Sequence, residues 1–177
     1  MTATGAGAEA GTGAGAGTGA ANEHKRGSPV LSLVIADGLS ALAIEQQALP
    51  FLQALLPMLG HGNWRLAPVA VVSQARVAIG DEIGALLGAD VVMIMIGERP
   101  GLSSPDSMGL YLTWAPRQGL TDERRNCISN VRQQGLPPAL AAGQLLRLLD
   151  GARQLGSSGV VLKIGTSQEV NDALTHT

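Results

Sequence analysis

The strongest indication of the fold is the run Val91-Val92-Met93-Ile94-Met95-Ile96 (VVMIMI). All six residues are apolar, and no polar residue alternates with them, which is typical of a strand that is covered on both faces. Sheets with such strands are mostly parallel and carry helices on both sides. The stretch therefore predicts an α/β domain in which this strand is the most buried.

Segments on either side of this stretch alternate between strand and helix patterns. The β-rich or apolar runs predict strands at 30–35 (VLSLVI), 68–72, 110–113 and 159–162. Apolar residues at helical spacing predict helices ending at 59, over 81–87 and over 139–155, with glycines at 60 and 88 as stops and Pro50 as a kink or a fresh start. This alternation predicts a doubly wound, mostly parallel, Rossmann-like sheet.

The two ends of the chain differ in composition from this region. Of the first 21 residues, 15 are Gly or Ala, and such a run lacks the side chains that build a core. The predicted organisation is a disordered low-complexity tail over 1–28, an α/β domain over 29–165 and a polar tail over 166–177. Residues 15–20 match G-x-G-x-x-A, but no strand precedes and no helix follows, so we do not interpret them as a dinucleotide site.

Composition excludes several functional classes. The net charge is -2 and the pI about 5.9, whereas nucleic-acid binders usually carry a basic patch. No apolar run approaches the roughly 20 residues that span a bilayer, and the N-terminus lacks a secretory signal pattern. A single cysteine excludes an internal disulfide. These features together predict a cytoplasmic protein. No zinc-type spacing, Ser/His/Asp set or phosphate-binding loop occurs, so the sequence predicts no catalytic or metal-ligating residues in this chain.

Polar residues and glycines gather where the predicted strands end, and open α/β sheets bind ligands there. These segments are 37–40 (DGLS), 73–77 (SQARV) and 97–101 (GERPG), and the fourth strand ends near Trp114. Glu98 directly follows the most buried strand, so its carboxylate requires a partner. A loop ion pair between Glu98 and Arg99, and a simple turn at 37–38, remain open alternatives. These residues alone predict a ligand-binding α/β domain whose chemistry lies elsewhere.

Four separated segments carry a resemblance to a known family: 33–52 (LVIADGLSALAIEQQALPFL), 76–88 (RVAIGDEIGALLG), 96–117 (IGERPGLSSPDSMGLYLTWAPR) and 125–132 (RNCISNVR). In this order they resemble the small subunit of ethanolamine ammonia-lyase. The resemblance implies a lyase that uses adenosylcobalamin and a radical mechanism to convert ethanolamine into acetaldehyde and ammonia. It also implies a large-subunit partner, a TIM barrel that binds ethanolamine and encloses the cobalamin together with the small subunit.

The resemblance implies three cobalamin contacts in this chain. The valine of R-V-x-I is Val77, the glutamate of G-E-R-P-G is Glu98 and the cysteine of N-C-I-S-N is Cys127. Taken alone, Val77 and Cys127 are typical of small buried residues. A stand-alone cobalamin-binding module and a non-functional remnant remain alternatives to the lyase subunit, and encapsulation in a bacterial microcompartment stays open.

Two departures from related patterns bear on the cofactor and on assembly. Some cobalamin-binding α/β domains carry D-x-H-x-x-G, whose histidine replaces the cofactor's own base, but here Asp37 and Gly38 precede Leu39. The resemblance therefore implies base-on cobalamin. Family members also carry an N-terminal region with motifs like G-R-A-G-P-R and Y-L-x-R-P-D-x-G-R-R, neither of which occurs here. We expect that difference to affect assembly but not the three contacts.

Overall fold

The computed structural model describes residues 27–98 and 104–162 of the chain. The strands are β1 (Val30–Ala36), β2 (Arg65–Leu66), β3 (Ala70–Val72), β4 (Val91–Gly97), β5 (Met108–Trp114) and β6 (Arg125–Val131). The α-helices are α1 (Ala41–Leu59), α2 (Ile79–Leu86) and α3 (Pro138–Leu155). Short 3-10 helices lie at Gly60–Gly62, Asp122–Arg124 and Gly159–Val161. The predicted tails fall largely at 1–26 and 163–177, outside the described residues.

The strands form one mixed sheet in the order β2-β1-β4-β5-β6, with β3 also paired to β1. β1 is parallel to β2, β3 and β4, whereas β5 is antiparallel to both β4 and β6. The connection at 98–107 is shorter than the dozen or so residues that a parallel crossover needs, so β5 turns back along β4. The α/β class is confirmed, but the predicted parallel winding holds only for the β1–β4 side of the sheet.

Helices lie on both faces of the sheet, and they cover the two faces unequally. On one face α1 and α3 bury a large apolar core against β1, β4, β5 and β6. On the other face the eight-residue α2 packs mainly on β4 and β1, and its Asp81 pairs with Arg125 of β6. Every residue of β4 is buried, as VVMIMI predicts. The second face of β6, which carries Cys127 and Ser129, stays exposed.

The polar stretch 125–131, for which the sequence predicts no element, is strand β6. The predicted last strand at 159–162 is wrong, because these residues form a 3-10 turn. At that turn the side chain of Asn126 takes the place of a strand neighbour: its Oδ1 accepts from the Gly159 N–H at 2.7 Å, and its Nδ2 donates to the Leu162 carbonyl at 2.9 Å. Helix α1 also runs unbroken through Pro50, so no fresh helix begins there.

Among residues 27–98 and 104–162, no helix is long and apolar enough to cross a membrane.

Candidate functional site

An open groove of about 400 Å³ lies at the edge of the sheet where β1 and β4 end. Its lining includes Gly38, Leu39, Arg76, Val77, Glu98 and Tyr111. Because β1, β3 and β4 are parallel, their carboxyl ends meet at this edge, where the sequence predicts a ligand. The structure therefore brings Val77 and Glu98, which follow different strands, into one concavity.

Two glycines let the ends of β1 and β4 approach closely at the base of the groove. The Leu39 N–H donates to the Gly97 carbonyl at 2.9 Å. Gly38 has a φ of 59°, and a Cβ there would collide with Gly97 and Ile96. A Cβ on Gly97 would collide with the backbone of Asp37 and Ser40. Since neither position tolerates a side chain, bare backbone forms this part of the groove.

Asp37 reaches from the end of β1 to the turn that follows β3. Its carboxylate accepts the N–H of Gln74 at 2.8 Å and of Ala75 at 3.2 Å. These backbone hydrogen bonds hold the pKa of the Asp37 carboxyl below its usual value, since they favour the charged form. Asp37 therefore makes long-range contacts in addition to the local turn that its sequence suggests.

Glu98 stands at the mouth of the groove and is held from two other strands. Its Oε2 accepts hydrogen bonds from the Ser107 hydroxyl, just before β5, and from the Asn130 N–H of β6 at 3.2 Å. Its Oε1 lies 2.8 Å from the position that a Cβ on Gly109 would occupy. Among the described residues Oε1 has no hydrogen-bond donor of its own, so it can accept one from a ligand. Arg99, the alternative ion-pair partner, lies outside the described residues.

Tyr111 and Cys127 form a directly opposed pair on the exposed part of the same sheet face. Burial raises the pKa of the Cys127 thiol above its ordinary value; the interaction with the Tyr111 hydroxyl lowers this pKa in part, and the nearby Glu98 charge raises it. Burial and the bond to Cys127 likewise raise the pKa of Tyr111. At neutral pH the pair thus offers a neutral, polarizable surface and no thiolate nucleophile.

One residue that the sequence connects with the ligand edge lies elsewhere. Trp114 ends β5, and because β5 is antiparallel to β4, it pairs with Val91 at the opposite edge. The prediction that this strand end joins the site is therefore wrong. His61 follows α1 and also lies at that opposite edge. Within the described residues, no group of three or more His, Cys, Asp or Glu side chains is arranged to hold a metal ion.

Sequence reasoning missed an ion pair between α2 and β6, whose two residues do not line the groove. Arg125 pairs with Asp81, and the two side chains are 5% and 3% exposed. In the first turn of α2, Asp81 has an ordinary local explanation as a helix-start charge, whereas the structure gives it a partner 44 residues away. Tyr111 and Ser107 were missed as well.

Comparisons with known proteins agree with these features. The family model described as "Ethanolamine ammonia-lyase light chain (EutC)" matches residues 16–163. A relative named ethanolamine ammonia-lyase small subunit from Azotobacter vinelandii is 59% identical over 141 residues, covering 80% of this chain and 52% of the relative. Relatives of the same name from Pseudomonas syringae pv. tomato and Ralstonia nicotianae are 58% and 55% identical, over 75% and 77% of this chain and 46% and 51% of their own lengths.

The chain spans about half the length of the curated relatives it matches. The match nevertheless covers β1 to α3, including the groove and the residues that line it. On this basis the chain belongs to the ethanolamine ammonia-lyase light chain family.

Proposed function

We propose that this chain is the cofactor-holding part of an ethanolamine ammonia-lyase small subunit and binds adenosylcobalamin in the groove at the carboxyl ends of β1 and β4. In this proposal Val77, Glu98 and Cys127 contact the cofactor. The large subunit binds ethanolamine and covers the exposed face. The bound cofactor supplies radicals by homolysis of its cobalt–carbon bond, and the residues of this chain bind and orient it.

The single observation that carries the proposal is the position of Glu98. The side chain is held by Ser107 and Asn130 through Oε2, while Oε1 points at the space above Gly109. Corrin carries amide groups around its rim, and their N–H groups are suited to an ionised acceptor, which forms the stronger kind of hydrogen bond. Because the carboxylate is already fixed, little conformational entropy is lost when a ligand engages it.

The surfaces beside Glu98 also fit a flat, partly apolar ring. Val77 lines one wall of the groove, and Tyr111 lines its floor. Cys127 continues that floor beyond Tyr111 and is exposed. The groove holds only part of a group as large as corrin, so the remainder would extend over β5 and β6. On that face α2 covers β1 and β4, whereas Cys127 and Ser129 of β6 are exposed, which supports cover by a partner.

The leucine at position 39 supports base-on binding, in which the cofactor's own base stays on cobalt. Leu39 occupies the position that a histidine takes in D-x-H-x-x-G domains, and its side chain, 51% exposed, lines the groove. We therefore infer that cobalt keeps its dimethylbenzimidazole ligand. Electron paramagnetic resonance of the bound cofactor tests this inference, and coupling to a protein histidine nitrogen would contradict it.

The test of the proposed function is co-expression of the chain with its large subunit, followed by an acetaldehyde assay with ethanolamine and adenosylcobalamin. We expect the two chains to co-purify and activity to need both. Failure to co-purify, with no activity, would contradict the subunit assignment. Tight cobalamin binding by the chain alone, without co-purification, would favour a stand-alone binding module.

A glycine pair provides the matched control for the groove. Gly109→Ala places a Cβ 2.8 Å from Glu98 Oε1 and 3.1 Å from the Tyr111 ring, so the carboxylate must move. Gly143→Ala adds the same methyl group in α3, where nothing lies within 4 Å of it. We expect a fall in cobalamin affinity of roughly tenfold for Gly109→Ala, about the loss of one good hydrogen bond, and no fall for Gly143→Ala. Equal cobalamin affinities of the two variants would contradict the assignment of Glu98 to the binding site.

A further inference from the structure

The turn between β3 and α2, which leads into Arg76 and Val77 of the groove, is a mostly exposed segment. β3 pairs only with β1, and Ser73 and Gln74 are exposed. Gln74 adopts a φ of 54°, a left-handed conformation that a non-glycine residue takes at an energetic cost. Val77 directly follows this turn, so a displacement of the turn would also displace Val77 in the groove.

The carboxylate of Asp37 is the feature that holds this turn in place. It accepts the N–H groups of two successive residues of the turn, Gln74 and Ala75. In a simple aspartate turn the acceptor bonds to residues two or three positions along the chain, whereas these donors lie 37 and 38 residues away. An ionised acceptor also forms stronger hydrogen bonds to backbone N–H groups than a neutral one does.

Hydrogen bonds at the start of α2 connect the turn with the residues that line the groove. The carbonyls of Arg76 and Val77 accept the first N–H groups of that helix, from Ile79 and Gly80, at 3.1 Å each. Asp37, Arg76 and Val77 thus form one connected unit beside the base of the groove.

We propose that Asp37 is a positioning residue of the groove, which fixes the turn at 73–76 and thereby sets Val77 and Arg76 at the distance that the ligand needs. The proposal rests on the proposed function, because adenosylcobalamin is the ligand whose binding reports on the wall. Asp37 itself does not touch the ligand.

Asp90 provides a matched control. Its carboxylate accepts the N–H of Val30 at 2.8 Å, so it is also a half-buried acceptor for a backbone N–H at the end of β1, but at the opposite edge. Replacement of either aspartate by alanine removes a strand-linking carboxylate, and only Asp37→Ala disturbs the groove.

The experiment measures adenosylcobalamin affinity of the chain in complex with its large subunit, for the wild type, Asp37→Ala, Asp37→Asn and Asp90→Ala. We expect at least a tenfold loss for Asp37→Ala, a smaller loss for Asp37→Asn, whose amide oxygen still accepts one N–H, and less than twofold for Asp90→Ala. If Asp37→Ala does not fold, Asp37→Asn is compared with Asp90→Asn. Similar affinities for the variants at 37 and 90 would overturn the proposal.

A double-mutant cycle with Val77→Ala separates positioning from general stability. If Asp37 acts through Val77, the combined loss is smaller than the product of the two single losses. Losses that multiply would show that the two residues act independently and would overturn the proposal.

Amide hydrogen exchange distinguishes failure of this proposal from failure of the proposed function. Even if the wild type binds no cobalamin, Asp37→Ala should accelerate exchange at Gln74 and Ala75 while the β4 amides keep their protection. Unchanged exchange at both turn amides would show that Asp37 does not hold the turn.

Discussion

Replacement of Glu98 by alanine is the perturbation that examines the groove most closely. The wild-type carboxylate accepts the hydroxyl of Ser107, which is 5% exposed, and the N–H of Asn130, and its Oε1 is left for the ligand. A hydrogen bond to a charged group contributes about 1.5–3 kcal/mol. Loss of one such bond to a corrin amide would weaken adenosylcobalamin binding roughly 10- to 150-fold.

Cys127→Ala is the comparison for this prediction. The thiol is a weak hydrogen-bond partner, and truncation at an exposed position leaves little cavity, so we expect a loss below about 1 kcal/mol. Glu98→Gln should fall between the two, because its amide keeps one acceptor oxygen but loses the charge.

The assay is an equilibrium titration of each purified complex with adenosylcobalamin, followed by its visible absorbance. Circular dichroism of the same samples verifies the fold. Affinity losses that are equal for Glu98→Ala and Cys127→Ala, or larger for Cys127→Ala, would refute the assignment of Glu98 as the principal acceptor.

Two further predictions concern residues next to the groove. Among the described residues, Asp81→Ala leaves the buried Arg125 guanidinium with the exposed Asp122 and the Leu120 carbonyl as partners, so we expect the free energy of unfolding to fall by about 3 kcal/mol. Asp122→Ala is the control. Equal urea midpoints for the two variants would contradict this prediction. Because the pKa of the Cys127 thiol is raised, less thiolate is present at pH 8 than for an unperturbed cysteine. Iodoacetamide should therefore alkylate Cys127 more slowly than an unperturbed cysteine at pH 8, and the rate should increase with pH. Replacing Tyr111 by Phe removes a bond that lowers this pKa and should slow the reaction further, whereas rapid alkylation at neutral pH would show that the thiol is not held neutral.

The sequence predicts the centre of the fold well because burial on both faces leaves a clear signal. The run VVMIMI is β4, buried along its length. Gly60 and Gly88 follow the ends of α1 and α2. Of the apolar stripe that the sequence predicts on α3, all members are buried except the last, Leu155, which is exposed. The sequence also predicted that the polar residues after β1, β3 and β4 gather at one edge of the sheet, and they meet there.

The antiparallel side of the sheet was harder to predict because its pattern is weaker. β6 reads RNCISNV, and only Ile128 and Val131 are buried, so it resembles a polar loop. Its strand character comes from pairing with β5, a tertiary effect that local composition does not encode. The reversal of β5 likewise moved Trp114 away from the site.

The residues that support the site could not be predicted from spacing at all. Asp37 bonds to a turn 37 residues away, and Asp81 pairs with Arg125 across 44 residues. Each of these carboxylates has an ordinary local explanation, as a turn residue or a helix-start charge. Only the fold shows that their partners lie on other elements. The roles of Val77, Glu98 and Cys127 as cobalamin contacts come from the family resemblance and stay predictions.

The most direct test of the central claim is a cryo-electron microscopy map of the chain bound to its large subunit and adenosylcobalamin. We predict density for the corrin at the carboxyl ends of β1 and β4, with a rim amide within hydrogen-bond distance of Glu98 and the ring in contact with Val77 and Cys127. Corrin density at another surface of this chain, or on the large subunit alone, would contradict the claim that this groove holds the cofactor.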